Sequence, residues 1–169
     1  EGNPVTAVVG GARENGSIML DGGVDGPIDT VTASTFIGED KGPGKRTGIQ
    51  SFIENNVISM IAVPGVTSPE VMVSLVAHCD NMKNRMAILD MPEEYSNTKE
   101  LIEYRGMIDS TYAAMYHPWI QVTDKATKKP AYIPPSGAVM GIYARTDITR
   151  GVHKAPANEQ IYCIGLKTN

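Results

Sequence analysis

Glycine-rich backbone followed by a lysine can cradle phosphates, and Gly42-Pro43-Gly44-Lys45-Arg46-Thr47 sets those residue types in a row. The spacing does not carry the chemistry through. The first glycine of a phosphate loop would fall on Glu39, and Arg46 stands where a Ser or Thr would hold magnesium. A solvated loop is the plainer reading. Asp21-Gly22-Gly23-Val24-Asp25-Gly26 opens like a calcium loop, whose alternating carboxylates and sixth-place glycine wrap the cation. Its third ligand place is Gly23 and its twelfth is Thr32. A turn whose glycines supply positive φ accounts for the same residues.

The three histidines, His78, His117 and His153, lie dozens of residues apart, without a Cys or carboxylate set at metal spacing. They read as surface or core-edge residues. His78 and Cys79 are neighbours, but adjacent helical side chains point about 100° apart and cannot act as a base and nucleophile pair. Ser136 belongs to Pro-Pro-Ser-Gly, not to the Gly-x-Ser-x-Gly elbow that exposes a hydrolase nucleophile. Asp90 closes a strand-like run, where α/β enzymes place functional carboxylates. The local sequence favours another role for it, capping the turn at Met91-Pro92. No catalytic residue, cofactor site or metal site is assigned.

The elements that would position these side chains follow from length and pattern. A chain of 169 residues suits one well-cored domain, with or without a smaller appendage. A 41% apolar share predicts a folded chain, and 17 Gly with 11 Pro predict long, turn-rich connections. The net charge of -4 comes from acidic and basic residues scattered along the chain, which disfavours nucleic acid as a partner. There is neither a signal-peptide pattern nor an apolar run long enough for a membrane span. Cys79 and Cys163, far apart, are expected as free thiols of a reducing compartment.

Residues 1–46 are rich in Gly, Asp and Thr and read as a β and loop segment, with a hairpin across Gly10-Gly11 to Asn15-Gly16. Residues 47–169 read as an α/β domain. A helix is predicted over Thr47–Asn55, and the apolar run Val57–Val63, stopped by Pro64-Gly65, reads as a buried strand. Ser68 offers an N-cap, with Pro69 at the first helical position, before an amphipathic helix ending near Met82 or Lys83. Arg85–Asp90 repeats the short apolar run, and a second helix fits Ser96–Ile108. Further strands are expected at Tyr112–Tyr116, Pro118–Val122, Ala131–Ile133 and Ile161–Ile164, with a turn at Asp124–Lys129. A helix at Ala138–Thr149 should turn Val139, Ile142 and Tyr143 to one side. This alternation predicts an α/β fold: a mixed, partly parallel sheet with flanking helices, preceded by a Gly-rich, partly β N-terminal segment.

With no catalytic set, the unusual stretch is Ile133–Asn158. It contains Pro134-Pro135-Ser136-Gly137, then Gly141-Ile142-Tyr143-Ala144-Arg145-Thr146-Asp147, then Arg150-Gly151-Val152-His153-Lys154-Ala155-Pro156-Ala157-Asn158. That order resembles the signature of contractile tail sheath proteins of phages, prophages, tailocins and related injection systems. Other parts agree in sequence order. Gly22, Gly23, Asp25 and Gly26 look like the family's Gly-Gly-x-Asp-Gly turn, and Pro64-Gly65 like its strand end. Arg85–Asp90 followed by Pro92 looks like its second strand. Ala113–Ile120, with Pro118-Trp119, is similar to its Ala-x-Tyr-x-Pro-Trp element.

The resemblance implies a structural subunit, not an enzyme, that stacks as hexameric rings around a tail tube and contracts to drive the tube through a target envelope. Partners implied are other sheath subunits, the tube and the baseplate, in a virion tail or in the bacterial cytoplasm during assembly. Family members continue past Ala155-Pro156-Ala157-Asn158 into a tube-facing C-terminal domain, so the chain is expected to be a portion lacking it and to be monomeric alone. As backbone fixtures, Pro134 and Pro135 would hold an extended approach and Gly137 a close turn. Arg145 would pair with Asp147 or cap the helix, while Gly151, Lys154, Pro156 and Asn158 belong to a rigid, non-repetitive run. Two other classes stay open. One is a small-molecule enzyme that gathers Asp90, His117 and Ser136 in a pocket. The other is a binding module working through the N-terminal loops.

Overall fold

The computed structural model describes residues 23, 26 and 30–167. The hairpin expected at Gly10–Gly16, together with Gly22 and Asp25, lies outside the described residues. The chain divides into two compact units, Glu1–Val31 and Thr32–Asn169, and the second carries the elements described below. Of the first unit, Gly23, Gly26, Thr30 and Val31 are described, all exposed.

The second unit is α/β. Its first sheet has the order β1 (Met60–Ile61), β2 (Met86–Asp90), β3 (Ala113–Tyr116), all parallel. Parallel neighbours need crossovers, and helices α2 (Pro69–Met82) and α3 (Thr98–Arg105) supply them. Within this sheet β2 is the central strand, and Ala87, Ile88, Leu89 and Asp90 are all buried. That explains its unbroken apolar pattern. One face of α2 buries Val71, Met72, Leu75, Val76 and Cys79 against it. Each aliphatic side chain buried there contributes about 1.5–3 kcal/mol before the entropy of ordering is subtracted.

A short helix α1 (Ala33–Ile37) and a 3-10 helix (Gly48–Glu54) pack against α2, with Ile49 reaching the core. The second sheet is antiparallel, in the order β5 (Pro130–Ile133), β4 (Ile120–Thr123), β6 (Gly165–Leu166). Helix α4 (Ser136–Arg150) follows β5 and packs back on β2 through the face bearing Ser136, Val139, Ile142 and Thr146.

Several expectations shift at the edges. The segment predicted as a helix over Thr47–Asn55 is a 3-10 helix. The run Val57–Val63 pairs only at Met60–Ile61. The Asn55 side chain takes the Val57 amide at 3.0 Å, and Val57 is 93% exposed, so the start of the run is turned out of the ladder. The helix expected over Ser96–Ile108 spans Thr98–Arg105: the Asn97 side chain accepts the Lys99 amide at 2.9 Å in its first turn, and it stops at Gly106.

The strand expected at Ile161–Ile164 forms instead at Gly165–Leu166, leaving Tyr162 80% exposed. A Cβ on residue 165 would lie 3.3 Å from Gln121 Oε1, so a residue lacking one fits opposite Gln121. Helix α4 begins two residues earlier than Ala138, for a reason found in the site below.

Candidate functional site

The sequence-predicted residues that meet do so around one carboxylate. Asp90 ends β2 and is 3% exposed. Its Oδ1 accepts the Ser136 amide at 2.8 Å, and its Oδ2 accepts the Ser136 hydroxyl at 2.7 Å and the Gly65 amide at 3.3 Å. Asp90 therefore does not cap the Met91-Pro92 turn that follows it. It satisfies the first amide of α4, where a helix has no internal acceptors and its dipole favours negative charge. The acceptor comes from another element, so α4 can start directly after Pro135.

Gly65 occupies the turn after β1 with φ of 76°, a left-handed conformation that suits glycine. A Cβ there would stand 3.8 Å from Pro134 Cγ and 3.9 Å from Trp119 Cη2. The Trp119 indole nitrogen in turn donates to the Met91 carbonyl at 2.8 Å. The Pro64-Gly65 turn, the end of β2, the Pro118-Trp119 segment and the Pro134–Ser136 segment thus converge. The His117-Pro118 peptide bond is cis.

Two further contacts brace the cluster. The Tyr116 and Tyr143 hydroxyls are 2.8 Å apart, tying the end of β3 to α4, and burial pushes the Tyr116 phenol far up. The Tyr104 hydroxyl donates to the Thr67 carbonyl and lies 2.8 Å from the Met72 sulfur, and its own ionisation is pushed up to about 12 by burial. Nothing in the spacing of these tyrosines announces either contact.

The rest of the signature lies apart from this node. Gly137 is the second residue of α4, and nothing lies within 4 Å of where its Cβ would be. It makes no close turn. Arg145 does not pair with Asp147. Its Nη2 lies 3.7 Å from Glu159 Oε2 and donates to the Gln160 carbonyl at 3.3 Å. The Asp147 carbonyl accepts the Gly151 amide that ends the helix. Lys154 Nζ donates to the Ala155 and Ala157 carbonyls, at 2.7 and 3.4 Å, binding the stretch that contains Pro156 and Asn158 to itself. These residues fix the path of the backbone after α4.

The chemical readings fare differently. In the Gly42–Thr47 loop the Gly42 amide donates to Asp40 and the Gly44 amide to Glu54, both at 3.0 Å, and Arg46 bonds the same two carboxylates at 2.7 and 2.6 Å. The loop's own acids occupy the donors that a phosphate would need. Asp90 and Ser136 touch, but Ser136 is 0% exposed and neither side chain is offered to a substrate. His117 is exposed and is not among their partners. A hollow of about 180 Å³ beside β3 is lined by Leu89, Arg105, Ile108, Ser110, Ala113 and Met115, away from that pair. Among the described residues no His, Cys and carboxylate group is arranged to hold a metal, and no helix is long and apolar enough to cross a membrane.

Comparison with known proteins places this arrangement of internally bonded residues in a family. The family model described as the phage tail sheath protein central domain matches residues 41–167, and the chain belongs to that family. The chain is 26% identical over 102 residues to the tail sheath protein of Salmonella phage ViI. That match spans 48% of this chain and 16% of the phage protein. It is also similar to a chain in the cryo-EM structure of the anti-feeding prophage (AFP) baseplate, 6-fold symmetrised. There the identity is 26% and the TM-score 0.47, covering 65% of this chain and 27% of the other.

Proposed function

We propose that this chain is the central part of a structural subunit of a contractile tail sheath. Such subunits stack as hexameric rings around a tail tube and shorten to drive the tube through a target envelope. The observation that carries the reading is the Asp90 node. It locks the Gly65 turn, the end of β2 and the start of α4 together, and it spends every family-like polar group there on internal bonds. A body braced in this way suits a machine whose motion is between subunits.

In this reading no bond is made or broken by the chain. The work comes from two lattice packings of the same subunits, an assembled metastable one and a contracted one, as in other bistable assemblies. Its partners are other sheath subunits, the tail tube and the baseplate, met through the whole polypeptide, in the virion tail or in the bacterial cytoplasm during assembly. The chain by itself stays monomeric. Sedimentation of the protein at full length, beside this chain, tests the reading. Fast-sedimenting polymers of the former and a monomer of the latter support it, whereas a full-length protein that stays monomeric contradicts it.

A further inference from the structure

Arg85 is 2% exposed, yet none of its hydrogen bonds goes to a carboxylate. Its Nη1 donates to the Phe52 carbonyl at 2.8 Å, Nη2 to the Asn55 carbonyl at 2.7 Å and Nε to Asn84 Oδ1 at 2.9 Å. The two carbonyls lie at the C-terminal end of the 3-10 helix Gly48–Glu54, where the Phe52 carbonyl also accepts the Asn55 amide at 3.1 Å. One guanidinium therefore staples that helix to the base of β2, and buried Ile49 is held in the core with it.

The fourth contact is to His78, 5% exposed on α2, whose Nε2 lies 3.2 Å from Arg85 Nη1. A guanidinium only donates, so the ring must accept at Nε2 and carry its proton on Nδ1.

We propose that His78 and Arg85 form an acid-sensitive latch: protonation of His78 removes the acceptor facing Arg85, sets two cations side by side in a buried layer, and loosens the Gly48–Glu54 helix from the α/β unit. No neighbouring acid bonds to either cation. Asp80, on the same helix as His78, is held by the Ser110 hydroxyl at 2.6 Å. Glu54, on the 3-10 helix, is held by Arg46 at 2.6 Å and by the Gly44 amide. Lys83, at the end of α2, adds positive charge, and the Cys79 thiol is pushed up to about 11 by burial and stays neutral. Burial, and then the Arg85 charge, hold His78 below the ordinary imidazole value.

The sign of the pH effect follows. An unfolded His takes up its proton near pH 6.5 and the buried one only lower. The closed latch is therefore fully stable above about pH 6.5 and is lost as pH falls through the folded value.

Hydrogen exchange of the chain, expressed as protection factors, tests this at about pH 7.5 and about pH 5. Protection over residues 48–57 should fall about tenfold for each unit by which the folded pKa is displaced, while β2 keeps its protection. His78→Gln, which keeps a neutral acceptor, should hold the 48–57 protection at both pH values. Nitrogen NMR of the wild-type ring provides a readout that does not depend on the variant folding. It should show the Nδ1-protonated tautomer at neutral pH and a midpoint below about 6.5. Equal loss from both segments, an unchanged acid response in His78→Gln, or a midpoint above about 6.5 would overturn the latch.

Discussion

Asp90 and Ser136 stand 46 residues apart in sequence and meet through two hydrogen bonds, from the serine amide and the serine hydroxyl to the two carboxylate oxygens. This relationship joins the end of the central parallel strand to the first turn of α4. It makes Ser136 a structural pin.

Asp90→Ala should remove that pin and leave the buried Ser136 donors and the Gly65 amide without their acceptor. Unpaired buried donors cost about 1–3 kcal/mol each at most, so a loss of about 2–4 kcal/mol is expected. For a chain of this length that lowers the melting temperature by roughly 5–15 °C. Asp90→Asn keeps one acceptor oxygen but brings an NH₂ group against a donor, and should fall between the two. Thermal unfolding followed by circular dichroism reads both, and an unchanged midpoint in Asp90→Ala would remove the node from the account.

Two signature glycines should respond with opposite sign. Gly65→Ala forces a side chain into positive φ and should cost about 1–2 kcal/mol. Gly137→Ala, in a helix with open space at its Cβ, should gain about 0.5–1 kcal/mol. Urea unfolding of the two variants measures this, and destabilisation by Gly137→Ala would show that its neighbourhood is tighter than described.

The two thiols should separate by reactivity. Cys79 is fully buried with its ionisation pushed up to about 11, while Cys163 is half-buried. At about pH 8 a thiol reagent should label Cys163 alone, and Cys79 only after unfolding, because the thiolate is the reactive form. The raised Cys79 value also means that its contribution to stability is present below the ordinary thiol range and is lost as pH rises toward 11. Equal labelling rates for both cysteines would contradict this placement.

Much of the second unit was legible where local signals and burial agree. Ser68-Pro69 followed by the stripe Val71, Met72, Leu75, Val76 and Cys79 marks α2 to its last turn: Ser68 takes the N-cap position and Pro69 the first helical one, although the Ser68 hydroxyl makes no capping bond, and the period of the stripe agrees. The apolar run ending at Asp90 marks β2 for the same reason. Prediction failed where a distant partner decides. The start of α4 depends on a carboxylate 46 residues away, and no local pattern contains it. The register of β6 is set by β4, which pairs Gln121 with Gly165 and takes the Ile164 amide on the Gln121 carbonyl, and no local pattern in Ile161–Ile164 contains that. Val57 is apolar but is turned outward by Asn55. The site was half legible. Resemblance picked out Pro64, Gly65, Asp90, Trp119 and Pro134, but not what they do to one another, and Arg145 found Glu159 and Gln160 instead of Asp147.

Electron microscopy of the protein expressed at full length tests the central claim most directly. The account predicts rings or hollow tubes with sixfold symmetry, built from subunits in which the Thr32–Asn169 unit is braced around the Asp90 node. A dispersed monomer with no ordered assembly, in the presence of the tail tube protein as well as in its absence, would contradict it.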